Sequence, residues 1–223
     1  MDKKLLVDAL VKVTLGIVMI GLLLFLPAGT LAWWQGWLLL IILFVPMVIA
    51  GFVMMKKSPD LLRKRLNVKE KQKDQQLVVK LSGLMFLVGF ILAGLGKRFG
   101  WWMLPSWVSW VGAALFLLAY AMYAEVMREN AFLSRTIEVQ ENQTVVDTGL
   151  YGIVRHPMYA ATLILFLSMP LVLGSLWAFL VFLAYPIIIA GRIRGEEQLL
   201  RAELSGYEEY CRKVKWRVIP FVW

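Results

Sequence analysis

The side chains most capable of chemistry lie in two short stretches of the C-terminal half of the chain, on either side of an uncharged run. The stretch 149–159 contains Arg155, His156 and two tyrosines, and the stretch 191–197 contains two arginines and two adjacent glutamates. If the run between them folds back as a hairpin, both stretches return to the same membrane face and their polar groups become neighbours. The residue types predict a polar site at the mouth of this hairpin but, by themselves, assign it no reaction.

Each of these residues also has a purely structural interpretation. Arg155 could extend its charge to lipid headgroups, and Pro157 could simply begin a helix. An interfacial position suits His156 as well as a binding role does. Glu196 and Glu197 are adjacent and point to different parts of a helix surface, so at least one is expected to be solvated. The helical stripe that follows is expected to cover the membrane face rather than bind a ligand, and comprises Leu200, Leu204, Tyr207 and Cys211.

Composition narrows the classes of site and partner. With 1 His and 1 Cys, the chain can form neither an internal disulfide nor a cysteine metal cage, and a classical zinc site is not expected. The formal net charge of +9 could suggest nucleic acid, but the basic residues cluster in alternate loops, as membrane orientation requires. We therefore expect neither a metal nor a nucleic-acid partner.

Hydrophobicity predicts an integral membrane protein. The chain is 60% hydrophobic and 17% charged, and it contains three long runs without any charge, at 33–55, 100–124 and 158–190. A membrane-spanning helix needs about 20 mostly apolar residues. We predict an all-α, polytopic membrane helix bundle whose first four spans are Leu10–Leu26, Trp34–Met55, Leu77–Leu95 and Trp107–Val126.

The run 158–190 is predicted to be a helical hairpin. As one helix it would be about 50 Å long at 1.5 Å per residue, whereas the hydrocarbon core of a bilayer is about 30 Å thick. Pro170, Gly174 and Ser175 mark a break near its middle, so we place a tight turn at Leu173–Leu176. About six transmembrane segments result.

Charge in the loops sets the expected orientation. Residues 56–80 are strongly basic, whereas the loops on the other side carry little charge, so both termini are predicted to be cytoplasmic. Within this loop Ser58-Pro59-Asp60 is typical of a helix start, and the short helix that follows, with Arg63, Lys64 and Arg65, is expected to lie on anionic headgroups. The N-terminal apolar run is expected to be a retained helix rather than a cleaved signal.

We expect a single integral membrane domain over residues 1–223. Its residues 1–126 would form four N-terminal transmembrane helices with the basic cytoplasmic loop 56–80. Its residues 127–223 would form the catalytic region, with the hairpin and a cytoplasmic C-terminal segment.

Several ordered motifs resemble the isoprenylcysteine carboxyl methyltransferase family, to which phospholipid methyltransferases are related. Taken in order, these motifs are residues 145–151 (VVDTGLY), 155–159 (RHPMY), Glu196-Glu197, 206–210 (GYEEY) and 217–220 (RVIP). The resemblance implies methyl transfer from S-adenosyl-L-methionine to a lipophilic acceptor that enters sideways from the bilayer, in a pocket roofed by the C-terminal segment. The reaction expected first is carboxyl O-methylation of an isoprenylcysteine-like or other lipid acid.

Position by position, the resemblance also implies a set of site residues. The cofactor contacts would be Gln143, Thr144, Val145, Val146, Tyr151, His156, Pro157, Tyr159 and Glu197. The arginine facing the acceptor would be Arg192 or Arg194. Two positions depart from the family pattern. Ala161 stands where Gly is usual, which could narrow the backbone approach to the cofactor, and Leu150 replaces a common Pro, which is expected only to change a turn.

The chemistry of these residues suits the cofactor. His156 could bind its carboxylate, and Glu197 could accept hydrogen bonds from its ribose or ammonium groups. Tyr151 or Tyr159 could face the sulfonium. Displacement at the methyl group needs mainly positioning and removal of water, and an arginine would orient a carboxylate acceptor without any strong base.

Three alternatives stay open. The first is a phospholipid N-methyltransferase. The second is a nicotinamide-dependent membrane reductase, because some sterol reductases have a similar C-terminal arrangement, and the third is a non-enzymatic membrane partner. The membrane would be the inner membrane in a prokaryote or the endoplasmic reticulum in a eukaryote, with the site facing the cytoplasm and membrane lipids around it. The sequence leaves the acceptor and the oligomeric state undetermined.

Overall fold

The computed structural model describes residues 3–66, 73–130, 132–133 and 139–223. The described residues form helices and connecting turns, with no β-strand beyond one isolated bridge between Met103 and Ser175. The α-helices, in chain order, are α1 Lys3–Ala28, α2 Trp34–Lys57, α3 Pro59–Leu66, α4 Lys73–Phe99, α5 Ser106–Glu129, α6 Pro157–Val172, α7 Leu176–Phe182, α8 Tyr185–Glu203 and α9 Tyr207–Lys213. A 3₁₀ turn, Gly149–Gly152, precedes α6. The all-α prediction is confirmed.

The predicted membrane segments are also confirmed, although most are longer than expected. Five helical segments are long and apolar enough to cross a membrane: α1, α2, the Gln76–Phe99 part of α4, α5, and Leu176–Glu203, which joins α7 and α8. The shorter apolar helix α6 is the sixth segment. The second arm of the hairpin was expected to end near Ala190, but α8 continues to Glu203. The stretch 191–197 therefore lies on a helix, which fixes the direction of each of its side chains.

The hairpin turn lies where the sequence placed it. Helix α6 ends at Val172, Gly174 adopts a positive φ of 66°, and the Ser175 side chain caps α7 by accepting a hydrogen bond from the Ala178 amide. Pro170 lies inside α6 rather than in the turn. The loop before α5 is fixed to this turn, since the Leu104 amide donates to the Gly174 carbonyl at 2.8 Å.

The core of the bundle is apolar and closely packed. One buried cluster joins α1, α2, α4, α5 and the hairpin, with Phe116, Leu173 and Phe182 fully buried in it. Small residues permit the closest helix contacts: a Cβ on Gly112 of α5 would lie 2.7 Å from the backbone nitrogen of Val172 in α6. Glycine at this position allows α5 and α6 to run side by side.

Helix α3 is held against the start of α1. Its Leu62 packs with Leu5 and Met55, and Lys12 donates to the Leu66 carbonyl at 2.9 Å. Among the basic side chains of α3, Arg65 lines a cavity, and the expected contact of the helix with headgroups stays a prediction. Part of the predicted basic loop, including Lys69, Glu70 and Lys71, lies outside the described residues.

Candidate active site

The motif 155–157 joins the C-terminal segment to the start of α6. Pro157 occupies the first turn of the helix and His156 precedes it. The backbone amides of Arg155 and His156 donate to the carbonyl oxygens of Trp216 and Arg217, each at 2.8 Å. These two hydrogen bonds position the C-terminal segment across the motif, and they involve backbone atoms only.

Beneath this contact lies a buried ionic cluster centred on Glu197. Its carboxylate accepts from Arg155 Nε at 2.8 Å and from Arg217 Nε at 2.9 Å, and His156 Nε2 lies 3.3 Å away. Arg155 also donates to the carbonyl oxygens of Val214 and Lys215. Because the Arg155 side chain is only 6% exposed, the interpretation that it extends to headgroups is wrong. The cluster fastens α8 and the C-terminal segment to the motif.

A cavity of about 520 Å³ opens beside this cluster, a size typical of small-molecule sites. Its wall is formed by α4, α5, α6, α8, the segment 143–146 and the C-terminal helix α9. Most of the candidate residues lie in this wall, namely Gln143, Thr144, Val145, Val146, Tyr151, His156, Pro157, Tyr159 and Arg192. The hairpin thus brings residues from distant parts of the sequence to one place.

The structure distinguishes between the members of two pairs that the sequence could not separate. Arg192 and Glu196 lie one turn apart on α8 and both line the cavity, whereas Arg194 is exposed and lies outside the wall. Glu197, expected to contact the cofactor, is also absent from the wall, because its carboxylate is directed into the ionic cluster. Glu196 presents a carboxylate to the cavity, whereas the Glu197 carboxylate lies in the ionic cluster, and the cofactor contact expected of Glu197 stays a prediction.

A short hydrogen-bonded chain crosses the cavity wall. Arg192 Nε donates to the Tyr159 hydroxyl at 3.1 Å, and that hydroxyl donates to the Glu196 carboxylate in a close contact. A cation and an anion are therefore held one helical turn apart with a phenol between them. Such a pair can orient a ligand that carries both signs of charge.

Tyrosines that the sequence assigned elsewhere complete the wall. Tyr207, Leu200 and Leu204 line the cavity, so the prediction that their stripe covers the membrane face is wrong for them. The side chain of Tyr207 is buried, and its hydroxyl has no hydrogen-bond partner among the residues that the structure describes. In the sequence, the motif 206–210 was the signal that could have indicated Tyr207 and Tyr210 as site residues. It did not show which of the two hydroxyl groups makes a hydrogen bond within the protein.

Tyr151 is held rigidly in the same wall. Asn130 donates to its hydroxyl at 2.9 Å, and the Tyr210 hydroxyl donates to its carbonyl at 2.7 Å. Burial raises the pKa of Tyr151 to about 12, so its hydroxyl stays neutral at physiological pH.

Within the described part of the chain no group of three His, Cys, Asp or Glu side chains is arranged to hold a metal ion.

Two comparisons with known proteins show what this arrangement is similar to. Residues 107–205 match the phospholipid methyltransferase family. The fold resembles that of a eukaryotic intramembrane Ras methyltransferase, isoprenylcysteine carboxyl methyltransferase, with a TM-score of 0.54 and 17% identity over 85% of this chain and 74% of that one.

A curated relative matches a shorter region. Delta(14)-sterol reductase of Mus musculus is 33% identical over 91 residues, which are 40% of this chain and 22% of the reductase. The chain thus spans about a fifth of the length of this relative. The match to the phospholipid methyltransferase family covers the hairpin and most of the cavity wall, which together are a little less than half of the chain, and the similarity of fold extends over most of the molecule.

Proposed function

We propose that this membrane protein is a methyltransferase. It would transfer a methyl group from S-adenosyl-L-methionine to the polar head of a lipophilic acceptor, most simply a lipid acid. The observation that carries the proposal is the chain Arg192–Tyr159–Glu196 in the cavity wall. The wall also includes apolar residues of the span Gln76–Phe99, which would accommodate a lipid tail.

The polar groups of the cavity fit the cofactor. Glu196 offers a carboxylate for the ammonium or sulfonium cation, and the rings of Tyr159 and Tyr207 offer aromatic faces. The unbonded hydroxyl of Tyr207 leaves a hydrogen bond available to a bound molecule. The remaining expected contacts, at residues 143–146, Tyr151, His156, Pro157 and Glu197, stay part of this proposal.

When bound, the cofactor would supply the methyl group of its sulfonium, and the rest of the cofactor would leave as a neutral thioether. The protein's own part is to position and desolvate the reactants. Arg192 would hold the carboxylate of the acceptor through its planar fork, and the Glu197 cluster would keep the C-terminal segment closed over the site. A carboxylate nucleophile carries no proton, so no general base is needed.

The assignment of the region 127–223 as the catalytic part, and of the cytoplasm as the side it faces, also belongs to this proposal. The basic loop 56–80, which contributes Arg65 to the cavity wall, supports that side through the positive-inside rule. The cavity itself draws on both parts of the chain, because Arg65, Val79 and Tyr123 of the N-terminal part line it.

A calorimetric titration of the purified protein with S-adenosylmethionine, without acceptor, tests the cofactor. We expect saturable binding that S-adenosylhomocysteine displaces and NADPH does not. Glu196→Gln should weaken binding roughly ten- to hundredfold, since it removes a charge-assisted hydrogen bond. Glu203→Gln, an exposed change on the same helix, should leave the affinity unchanged. Displacement by NADPH instead would favour the reductase.

The family match gives the phospholipid N-methyltransferase alternative its specific support. Transfer of a labelled methyl group to matched lipid acids and lipid amines separates the two reactions. For a lipid acid, Arg192→Lys should reduce transfer, because lysine lacks the two-point fork, while Arg194→Lys should have little effect. Methylation of amines alone, unaffected by Arg192→Lys, would contradict the carboxylate assignment.

A further inference from the structure

Arg65 lines the cavity, although α3 is short. Leu62 fixes the helix by packing against Leu5 and Met55, and the helix end is bonded to Lys12. Arg63, two residues earlier, stays exposed and pairs with Asp60 at 2.8 Å. The same short helix thus presents one arginine to its surface and one to the cavity.

The charge of Arg65 is not compensated by the described residues. Its Nε and Nη2 atoms are shielded from solvent and have no hydrogen-bond partner there. The guanidinium carbon lies 5.3 Å from the ring centre of Tyr123, a cation–π contact that gives Nε and Nη2 no hydrogen bond. A shielded cation without an anion is unfavourable, so such a group is normally completed by a binding partner.

The neighbours of Arg65 in the wall indicate which partner would reach it. Val78, Val79, Ser82, Gly83 and Phe86 come from α4, where the chain forms a predominantly apolar membrane span. A Cβ on Gly83 would meet nothing within 4 Å, and Val79 is 51% exposed. This side of the cavity therefore suits an amphiphile whose tail lies along α4.

We propose that Arg65 binds an oxyanion, a carboxylate or a phosphate, in the head of the lipophilic acceptor. This inference rests on the proposed function and narrows its substrate class to anionic amphiphiles. Arg65 and Arg192 reach the cavity from different helices, so the two together can fix the position of an acidic head. A neutral amphiphile of the same length would leave Arg65 unpaired.

Direct binding in a maltoside detergent tests this without requiring turnover. The probes are dodecanoate, its methyl ester and dodecyl phosphate, titrated at pH 8 into wild type, Arg65→Ala, Arg65→Lys and the control Arg63→Ala. We expect wild type to bind both anions at least tenfold more tightly than the ester. Arg65→Ala should lose this preference, Arg65→Lys should retain part of it, and Arg63→Ala should behave as wild type. The ratio of the dissociation constants of dodecanoate and dodecyl phosphate distinguishes a preference for a carboxylate head from one for a phosphate head.

A parallel titration with S-adenosylmethionine separates this proposal from the proposed function. Arg65→Ala should bind the cofactor with unchanged affinity. An anion preference that survives in Arg65→Ala would overturn the proposal. So would a loss of cofactor affinity as large as the loss for dodecanoate, since Arg65 would then hold the carboxylate of the cofactor. If wild type binds no cofactor, the proposed methyl transfer fails, and the dodecanoate titration still decides the role of Arg65.

Discussion

The helical bundle and the C-terminal region are both well buried, yet opposite kinds of interaction hold them. In the bundle, side chains such as Phe116 and Phe182 pack in a continuous apolar cluster. In the C-terminal region, the central group is a glutamate, Glu197, bonded to two arginines. Apolar packing tolerates adjustment, whereas a buried charge depends on its specific partners. The C-terminal region should therefore respond abruptly to changes that the bundle would absorb.

Removing the Glu197 carboxylate should have the largest effect. Glu197→Ala leaves Arg155 buried without its anion, a change that typically destabilises by about 3–5 kcal/mol. We expect a large fall in thermal stability and faster proteolysis of the C-terminal segment, measured by thermal unfolding in detergent and limited digestion. Glu203→Ala on the exposed side of α8 is the control. If the stability of Glu197→Ala equals that of wild type, the cluster does not hold this region.

Adding one methyl group to the bundle should have a smaller effect. In Gly112→Ala the new Cβ would lie 2.7 Å from the Val172 nitrogen, so α5 and α6 must separate slightly, at a cost of about 1–3 kcal/mol. Gly21→Ala places its Cβ in open space and should not destabilise. Thermal unfolding compares the two. The contact between α5 and α6 would be looser than described if both variants unfold at the wild-type temperature.

Two tyrosines of the C-terminal region should respond with opposite signs. Tyr210→Phe removes the hydrogen bond to the Tyr151 carbonyl and should destabilise by about 0.5–1.5 kcal/mol. Tyr207→Phe removes a hydroxyl without a partner and should leave the ligand-free protein equally or more stable. If the Tyr207 hydroxyl donates to the cofactor, this second variant should also bind S-adenosylmethionine roughly two- to tenfold more weakly.

Unfolding curves and calorimetry on the two variants together separate a structural role from a ligand-binding one. Destabilisation by Tyr207→Phe, with unchanged cofactor affinity, would assign its hydroxyl to the fold.

The smallest effect is expected at the exposed pair of Asp147 and Lys213. The hydrogen bond from Lys213 at 2.6 Å lowers the pKa of Asp147 below its ordinary value of 3.8. A lowered carboxyl pKa contributes stability above that ordinary value, and the contribution is lost as the pH falls through the lowered pKa. Unfolding temperatures of wild type and Asp147→Asn should differ slightly at pH 6 and converge near pH 2. A difference independent of pH would exclude this linkage.

The sequence by itself determined the spans, the hairpin and the neighbourhood of the site. Charge-free runs of this length are typical of membrane spans. Gly174 and Ser175 mark the turn between the two arms of the hairpin. The motif 155–159 and the glutamate pair then had to meet, because a hairpin returns its two ends to one face. Periodicity did not show that α8 runs on to Glu203, since its last residues are charged and resemble a loop after a span.

Only the tertiary structure decided which side chain of each pair faces the cavity. Adjacent residues on a helix point about 100° apart, so sequence spacing allowed Arg192 and Glu196 to share a face but could not say which face. Packing of α8 against α4 and α6 fixed that rotation, directing Glu196 to the cavity and Glu197 to the arginines. The cavity position of Arg65 was equally hidden, because it depends on α3 docking against α1, a contact between residues far apart in the chain. The sequence does not show whether a charged side chain faces solvent or a cavity, because its neighbours in the folded structure determine its environment.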